Sequence, residues 1–123
     1  MKTIDIVVPC YNESENIIAF YRQVRKVFTE KLSNYDYLFI FVNDGSSDNS
    51  LNILKQLAAE DERVKYLSFS RNFGHQLAVK AGLDIAFGDA VISLDADLQH
   101  PPSLIPELVK QWEAGNQVVA TLR

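Results

Sequence analysis

Asp95-Ala-Asp97 sets two carboxylates one residue apart. In an extended segment side-chain direction repeats every two residues, so both acids point to one side. Like charges held that close repel unless a cation lies between them. Hard oxygen ligands select Mg2+ or Mn2+ over zinc, and Gln99 adds a third oxygen donor on the same alternating face. A cation resting on such a set would neutralise a departing diphosphate as a Lewis acid. Asp-x-Asp alone is a weak pattern, and its bland reading is a solvated turn whose acids cap the next helix. Its position at the end of a strand-like run, Ala90 to Leu94, favours the cation.

Two further acids sit at comparable places. Asp44 follows the apolar run Tyr37–Val42 and precedes Gly45-Ser-Ser. A carboxylate there can accept hydrogen bonds from a nucleobase or ribose, and Gly45 lets a ligand approach the backbone. The competing reading is a helix-entry loop in which Asp44 and Asp48 form turns and caps, and for Asp48 the cap is the stronger reading. Glu13 lies in the polar loop Tyr11–Ser14 after the first apolar run. Neither His75 nor His100 has a zinc-ligand spacing, so both read as loop or surface residues, with His100, beside the proposed ligands, the better candidate. Arg71 and Arg123 could meet phosphate oxygens, although Arg71 alone reads as a surface residue. Cys10 reads as a small apolar residue at a strand end rather than a reactive thiol.

The elements that must position these groups are legible in the periodicity. Ile4–Pro9 and Tyr37–Val42 read as strands buried on both faces, and Val64–Phe69 and Ala90–Leu94 as two more. Ile17, Tyr21, Val24, Phe28 and Leu32 form a helical stripe, with Ser14 and Asn16 as cap candidates. Leu51, Leu54, Leu57 and Ala58 mark a second helix. A third follows at Leu77, Ala78, Ala81 and Ile85, with Gly82 allowing close packing on a sheet. Pro101-Pro102 opens a fourth, on Leu104, Ile105, Leu108, Val109 and Trp112, ended by Gly115. Gln117–Leu122 starts a fifth strand. Strands alternating with helices imply a three-layer α/β/α domain on a mainly parallel sheet, with right-handed crossovers. Functional groups then gather at the strand ends, at the switch point of the sheet.

The 123 residues make one domain. A net charge of −4 without a basic run argues against nucleic acid as a partner. One cysteine allows no intrachain disulfide and fits a reducing compartment. No apolar run approaches the roughly 18 residues that suggest a membrane span. The sequence contains no G-x-G-x-x-G after its first strand, no phosphate-binding G-x-x-x-x-G-K-[ST] and no G-x-S-x-G elbow.

Taken together, Val8-Pro-Cys-Tyr-Asn-Glu13, Val42-Asn-Asp-Gly-Ser-Ser-Asp48, Ser70-Arg-Asn-Phe-Gly74 and Asp95-Ala-Asp-Leu-Gln-His-Pro-Pro102 resemble family 2 glycosyltransferases of the GT-A fold. The subgroup they most resemble transfers a sugar from a nucleotide to a polyprenyl phosphate, as dolichol-phosphate mannose synthase and bactoprenol glucosyltransferases do. The resemblance implies that Pro9, Tyr11, Asn12, Glu13 and Asp44 line the nucleoside pocket. It implies that Asp95 and Asp97 are the catalytic acids, Asp95 contacting donor and metal, with Asp97 and Gln99 completing the Mg2+ or Mn2+ site. Arg123 would be the first arginine of a phosphate-binding segment. The implied donor is a UDP-sugar, or else a GDP-sugar, and the implied place is the cytoplasmic face of a membrane. Such enzymes continue past Arg123 with their acceptor-binding part and often with membrane helices. The expectation is therefore the N-terminal part of a GT-A domain over 1–123, from a fragment or a truncated gene product, with exposed apolar surface that favours homo-oligomers. The alternatives are a non-catalytic nucleotide- or partner-binding module, and a transferase of the same fold acting on a saccharide hydroxyl. The latter needs a general base, and none is assignable within these residues.

Overall fold

The computed structural model describes residues 1–97, 101–115 and, by backbone, 121–122. Five parallel strands, β1 (Thr3–Cys10), β2 (Asp36–Asn43), β3 (Val64–Ser68), β4 (Ala90–Leu94) and β5 (Thr121–Leu122), form one sheet in the order β3-β2-β1-β4-β5. Helices α1 (Ile17–Lys31), α2 (Ser50–Glu60), α3 (His75–Ile85) and α4 (Ile105–Glu113) provide the crossovers, α4 entered through a 3-10 turn at Pro102–Leu104. The chain moves outward from β1 to β3, then returns to the other side of β1 as β4. This reversal puts the switch point between β1 and β4, where an α/β sheet leaves a crevice at its carboxyl end.

The period-2 alternation sorts the strand residues between two faces. Ile4, Ile6, Val8, Phe39, Phe41, Ile92 and Leu94 join the buried sides of α1, α2 and α4 in the larger cluster. Phe20, Phe28, Phe39 and Phe41 are almost wholly buried there, each stabilising the fold by roughly 1.5–3 kcal/mol through the area it removes from water. Val7, Ile40 and Val42 point the other way, onto Ala78 of α3.

That second face differs from the expected stripe. Leu77 and Ile85 are 51% and 43% exposed, while α3 buries Ala78 and Gly82. A Cβ at position 82 would lie 2.4 Å from Val7 Cγ1, so the missing side chain is what lets the helix reach the sheet. The approach is made through the small residues, and this turns the larger apolar ones outward. Two buried carboxylates hold the ends of the same helix. Asp44 accepts from the Phe73 and Gly74 amides at its start. Asp5, in the middle of β1 and fully buried, accepts from the Phe87 and Gly88 amides just past its end, at 2.9 and 2.8 Å.

Other departures are local. Asn16 caps α1 without a side-chain bond to the helix; its amide donates to Glu13 instead. Asp48 does accept from the Ser50 amide at the start of α2. Leu104 is exposed, whereas Ile105 and Val109 carry the buried side of α4. Residues 117–120 of the expected fifth strand lie outside the described residues. None of the described helices is long and apolar enough to cross a membrane.

Candidate nucleotide-sugar site

Four loops leave the carboxyl ends of the strands, and hydrogen bonds fasten them to one another. Asn12, at a positive φ of 53°, turns the β1–α1 loop toward the β2–α2 loop. Its side-chain oxygen accepts from the amides of Ser47 (2.8 Å) and Asp48 (3.3 Å), while its own amide donates to Ser46 Oγ. The Glu13 amide donates to Ser50 Oγ and the Ser14 amide to Asp48 Oδ2, at 3.1 Å each. Asn12 is thus a brace between loops, and the neighbouring Tyr11 is left half exposed at the cavity.

Asp48 shows the same bracing electrostatically. Burial alone would raise its carboxyl, but hydrogen bonds from Ser50 and Ser14 outweigh it and bring the pKa from 3.8 down to about 2. A depressed carboxylate pKa contributes stability that is present above the unfolded value and lost as pH falls through the folded one. The stability of the chain should therefore drop between about pH 4 and pH 2, and Asp48→Asn should flatten that part of the profile in urea unfolding. An unchanged profile in the variant would remove Asp48 as a source of the acid sensitivity.

The loop from β3 to α3 crosses over the end of β1 as a strap joining two acids from different strands. Asp44 is 3% exposed. Its carboxylate accepts from the Phe73 amide (2.7 Å), the Gly74 amide (3.0 Å) and Asn72 Nδ2 (3.2 Å). One residue on, His75 Nε2 lies 2.9 Å from Asp95 Oδ1. Gly45 makes the crossing possible: it has a φ of 68°, and a Cβ there would sit 2.1 Å from the Arg71 carbonyl carbon. Arg71 lies over the Phe73 ring, 4.7 Å from its centroid.

A cavity of about 260 Å3 opens beneath the strap, lined by Pro9, Tyr11, Asp44, Asn72 and His75 among others. Larger hollows of about 530 and 630 Å3 lie between α1 and α2 and beside α1 and α4. Size does not decide between them, because the acids converge only at the strand ends. Glu13 reports that convergence: burial pushes its carboxyl up, and the charges of Asp97 and Asp95 push it further. Cys10, 1% exposed, is likewise raised by burial and then by Glu13, Asp95 and Asp48. An apolar, inert Cys10 fits this setting.

The donor chemistry fits a hard divalent cation. Asp95 and Asp97 are both partly exposed at the end of β4, and a third carboxylate feels their field. Among the described residues no three His, Cys, Asp or Glu side chains gather closely enough to hold an ion by themselves. Mg2+ sites of this kind keep water and take substrate phosphates as ligands, so two carboxylates suffice. Gln99, His100 and Arg123 lie outside the described residues. Pro9, Tyr11 and Asp44 share the cavity, and Glu13 lies in the field of Asp95 and Asp97. His75, which lines the cavity and meets Asp95, is the residue that sequence reasoning undervalued; its place directly after the loop that follows β3 was the available signal.

A parallel sheet in this order is common to many nucleotide-binding α/β domains; the solved glycosyltransferases that it resembles give it the GT-A fold. A mannosyltransferase from Pyrobaculum calidifontis, solved with GDP-Man and Mn2+, matches with a TM-score of 0.71 at 20% identity, over 87% of this chain and 31% of that one. Staphylococcus aureus TarS, solved with UDP, matches with a TM-score of 0.65 at 24% identity, over 79% of this chain and 28% of that one. The model for Glycosyl transferase family 2 matches residues 5–123, and the chain belongs to that family. A prophage bactoprenol glucosyl transferase homolog of Escherichia coli is 47% identical over 120 residues, which is 98% of this chain and 39% of that protein. An uncharacterized glycosyltransferase of Bacillus subtilis is 48% identical, over 96% of this chain and 36% of its own length. The chain thus spans little more than a third of the length of the relatives it matches.

Proposed function

We propose that residues 1–123 form the nucleotide-sugar-binding part of an enzyme that transfers a sugar, with inversion, from a nucleotide diphospho-sugar to a polyprenyl phosphate. The observation that carries this reading is the cavity walled by Pro9, Tyr11 and Asp44 at the carboxyl ends of the strands, with His75 of its lining 2.9 Å from Asp95. The cavity would take the nucleoside, with Tyr11 offering an aromatic face and Asp44 holding the strap over it. Asp95 and Asp97, with Gln99, would hold Mg2+ or Mn2+ beside the donor diphosphate. When bound, that cation supplies neutralisation of the charge that develops on the leaving diphosphate. Arg123 would add a cation for the same oxygens.

The acceptor part of the reading is supported by the relatives named as bactoprenol glucosyl transferases. A phosphate monoester has a second pKa of about 6, so at pH 7 it is largely dianionic and attacks without a strong base. The protein's task is then to orient donor and acceptor in line and to screen their charges from each other. Such an acceptor puts the reaction at a membrane, and the cytoplasmic face is where nucleotide sugars are available. A UDP-sugar is the preferred donor and a GDP-sugar the alternative.

Calorimetric titration of UDP, UDP-sugars and GDP-sugars into the chain, with and without Mn2+, tests this. Binding should tighten with Mn2+, and Asp97→Ala should lose at least tenfold of the metal-dependent affinity, about 1.4 kcal/mol. Absence of binding to every nucleotide, or equal affinity of the variant in Mn2+, would overturn the proposal.

A further inference from the structure

His75 and Asp95 are 20 positions apart, and their side chains meet at 2.9 Å with the ring 37% and the carboxylate 25% exposed. A carboxylate oxygen only accepts, so the proton in this contact sits on Nε2. The other ring nitrogen, Nδ1, is buried without a hydrogen-bond partner. Here the ring is turned so that its one hydrogen bond goes to Asp95. The backbone just before it is held by Asp44, through Phe73 and Gly74. The strap therefore fixes where the ring stands, and the ring fixes one oxygen of Asp95.

We propose that His75 is a positioning residue for the donor site: by occupying Oδ1 of Asp95 it leaves Oδ2 as the oxygen that would meet the cation and the donor, and it ties that arrangement to the strap over the nucleoside cavity. The role rests on the function proposed above. Asp95 has a second acid two residues away, and an unrestrained carboxylate beside a like charge would rotate away from it. One donated hydrogen bond removes that freedom before ligand arrives, the way outer partners orient metal-binding side chains in general. Tying Asp44 to the strap and Asp95 to His75, the residue directly after it, also makes the two ends of the donor site a single unit.

The pair is tested first without ligand. Long-range 1H–15N spectra of the whole 123-residue chain should show the His75 ring protonated at Nε2, with a proton signal that Asp95→Ala moves or abolishes. A ring without that proton, or a signal indifferent to Asp95→Ala, overturns the inference whatever nucleotides do. The role is then read by calorimetry with UDP, with and without Mn2+. His75→Ala should lose about tenfold of the Mn2+-dependent gain, read as the ratio of its affinities with and without Mn2+, while its thermal unfolding stays near wild type. His75→Gln, which retains an N–H donor, should recover most of the loss. A full Mn2+ gain in His75→Ala, or an equal loss in both variants, refutes the positioning role. A wild-type chain with the intact pair but no affinity for any nucleotide refutes the function reading, and with it the purpose given to the pair.

Discussion

Replacing Gly45 by alanine should destabilise the chain by about 3 kcal/mol or more. Two independent effects add at this position. The φ of 68° is left-handed, which for a residue with a Cβ costs roughly 1–2 kcal/mol. The new methyl would also stand 2.1 Å from the carbonyl carbon of Arg71 and 2.3 Å from the amide nitrogen of Asn72. These are backbone atoms of the strap, which cannot swing aside as a flexible side chain would, and overpacking of this kind costs typically about 1–3 kcal/mol. Gly115 separates the two effects: its φ is 93°, but a Cβ there meets nothing within 4 Å. Gly115→Ala should therefore show only the backbone strain. Urea unfolding followed by circular dichroism measures both variants. Equal destabilisation would mean that the strap does not rest on Gly45. Nucleotide affinity should fall only in Gly45→Ala, because only that change lifts the strap.

Asp44→Ala should have an effect of similar size by the opposite route, removal of a partner. The carboxylate holds the amides of Phe73 and Gly74 and the side chain of Asn72. Hydrogen bonds to charged groups contribute about 1.5–3 kcal/mol each, so losing the two backbone bonds should cost about 3 kcal/mol. Asp44→Asn should fall between, since its amide oxygen still accepts from one backbone donor while its NH2 group faces the other. Urea unfolding gives the stability change, and the His75 ring signal reports whether the strap has moved. A stable Asp44→Ala chain with that signal unaltered would contradict the bracing role.

The sheet was legible because its strands are continuous apolar runs ended by turn chemistry. β4 coincides with the expected Ala90–Leu94, and β1 and β2 extend it by one residue at each end. Helix α1 was equally legible, since a stripe of large residues at helical spacing has one way to be buried. Helix α3 was legible in part: it forms where expected, and Ala78 and the close packing at Gly82 are as read, but Leu77 and Ile85 turn outward. Hydrophobic weight points to Leu77 and Ile85, whereas proximity is set by what is small. The acids of the candidate site could be read from their places at strand ends. Their partners could not: the bonds from Asp44 to residues 72–74 and from Asp95 to His75 join segments 20 to 30 positions apart. Nothing periodic encodes them.

The two carboxylates that clasp α3 have a consequence for motion. The helix buries only Ala78 and Gly82 against β1 and β2, and its two ends are tied by Asp44 and Asp5. An element secured at two points can detach as a cooperative unit while the rest of the domain stays folded. Amides of α3 should then exchange with solvent through partial opening, well before those of β1 and β2. The strap leads into this helix, so each such excursion would also uncover the cavity beneath it. In that case the free-energy gap governing access to the cavity is that of one clasped helix rather than of the whole fold.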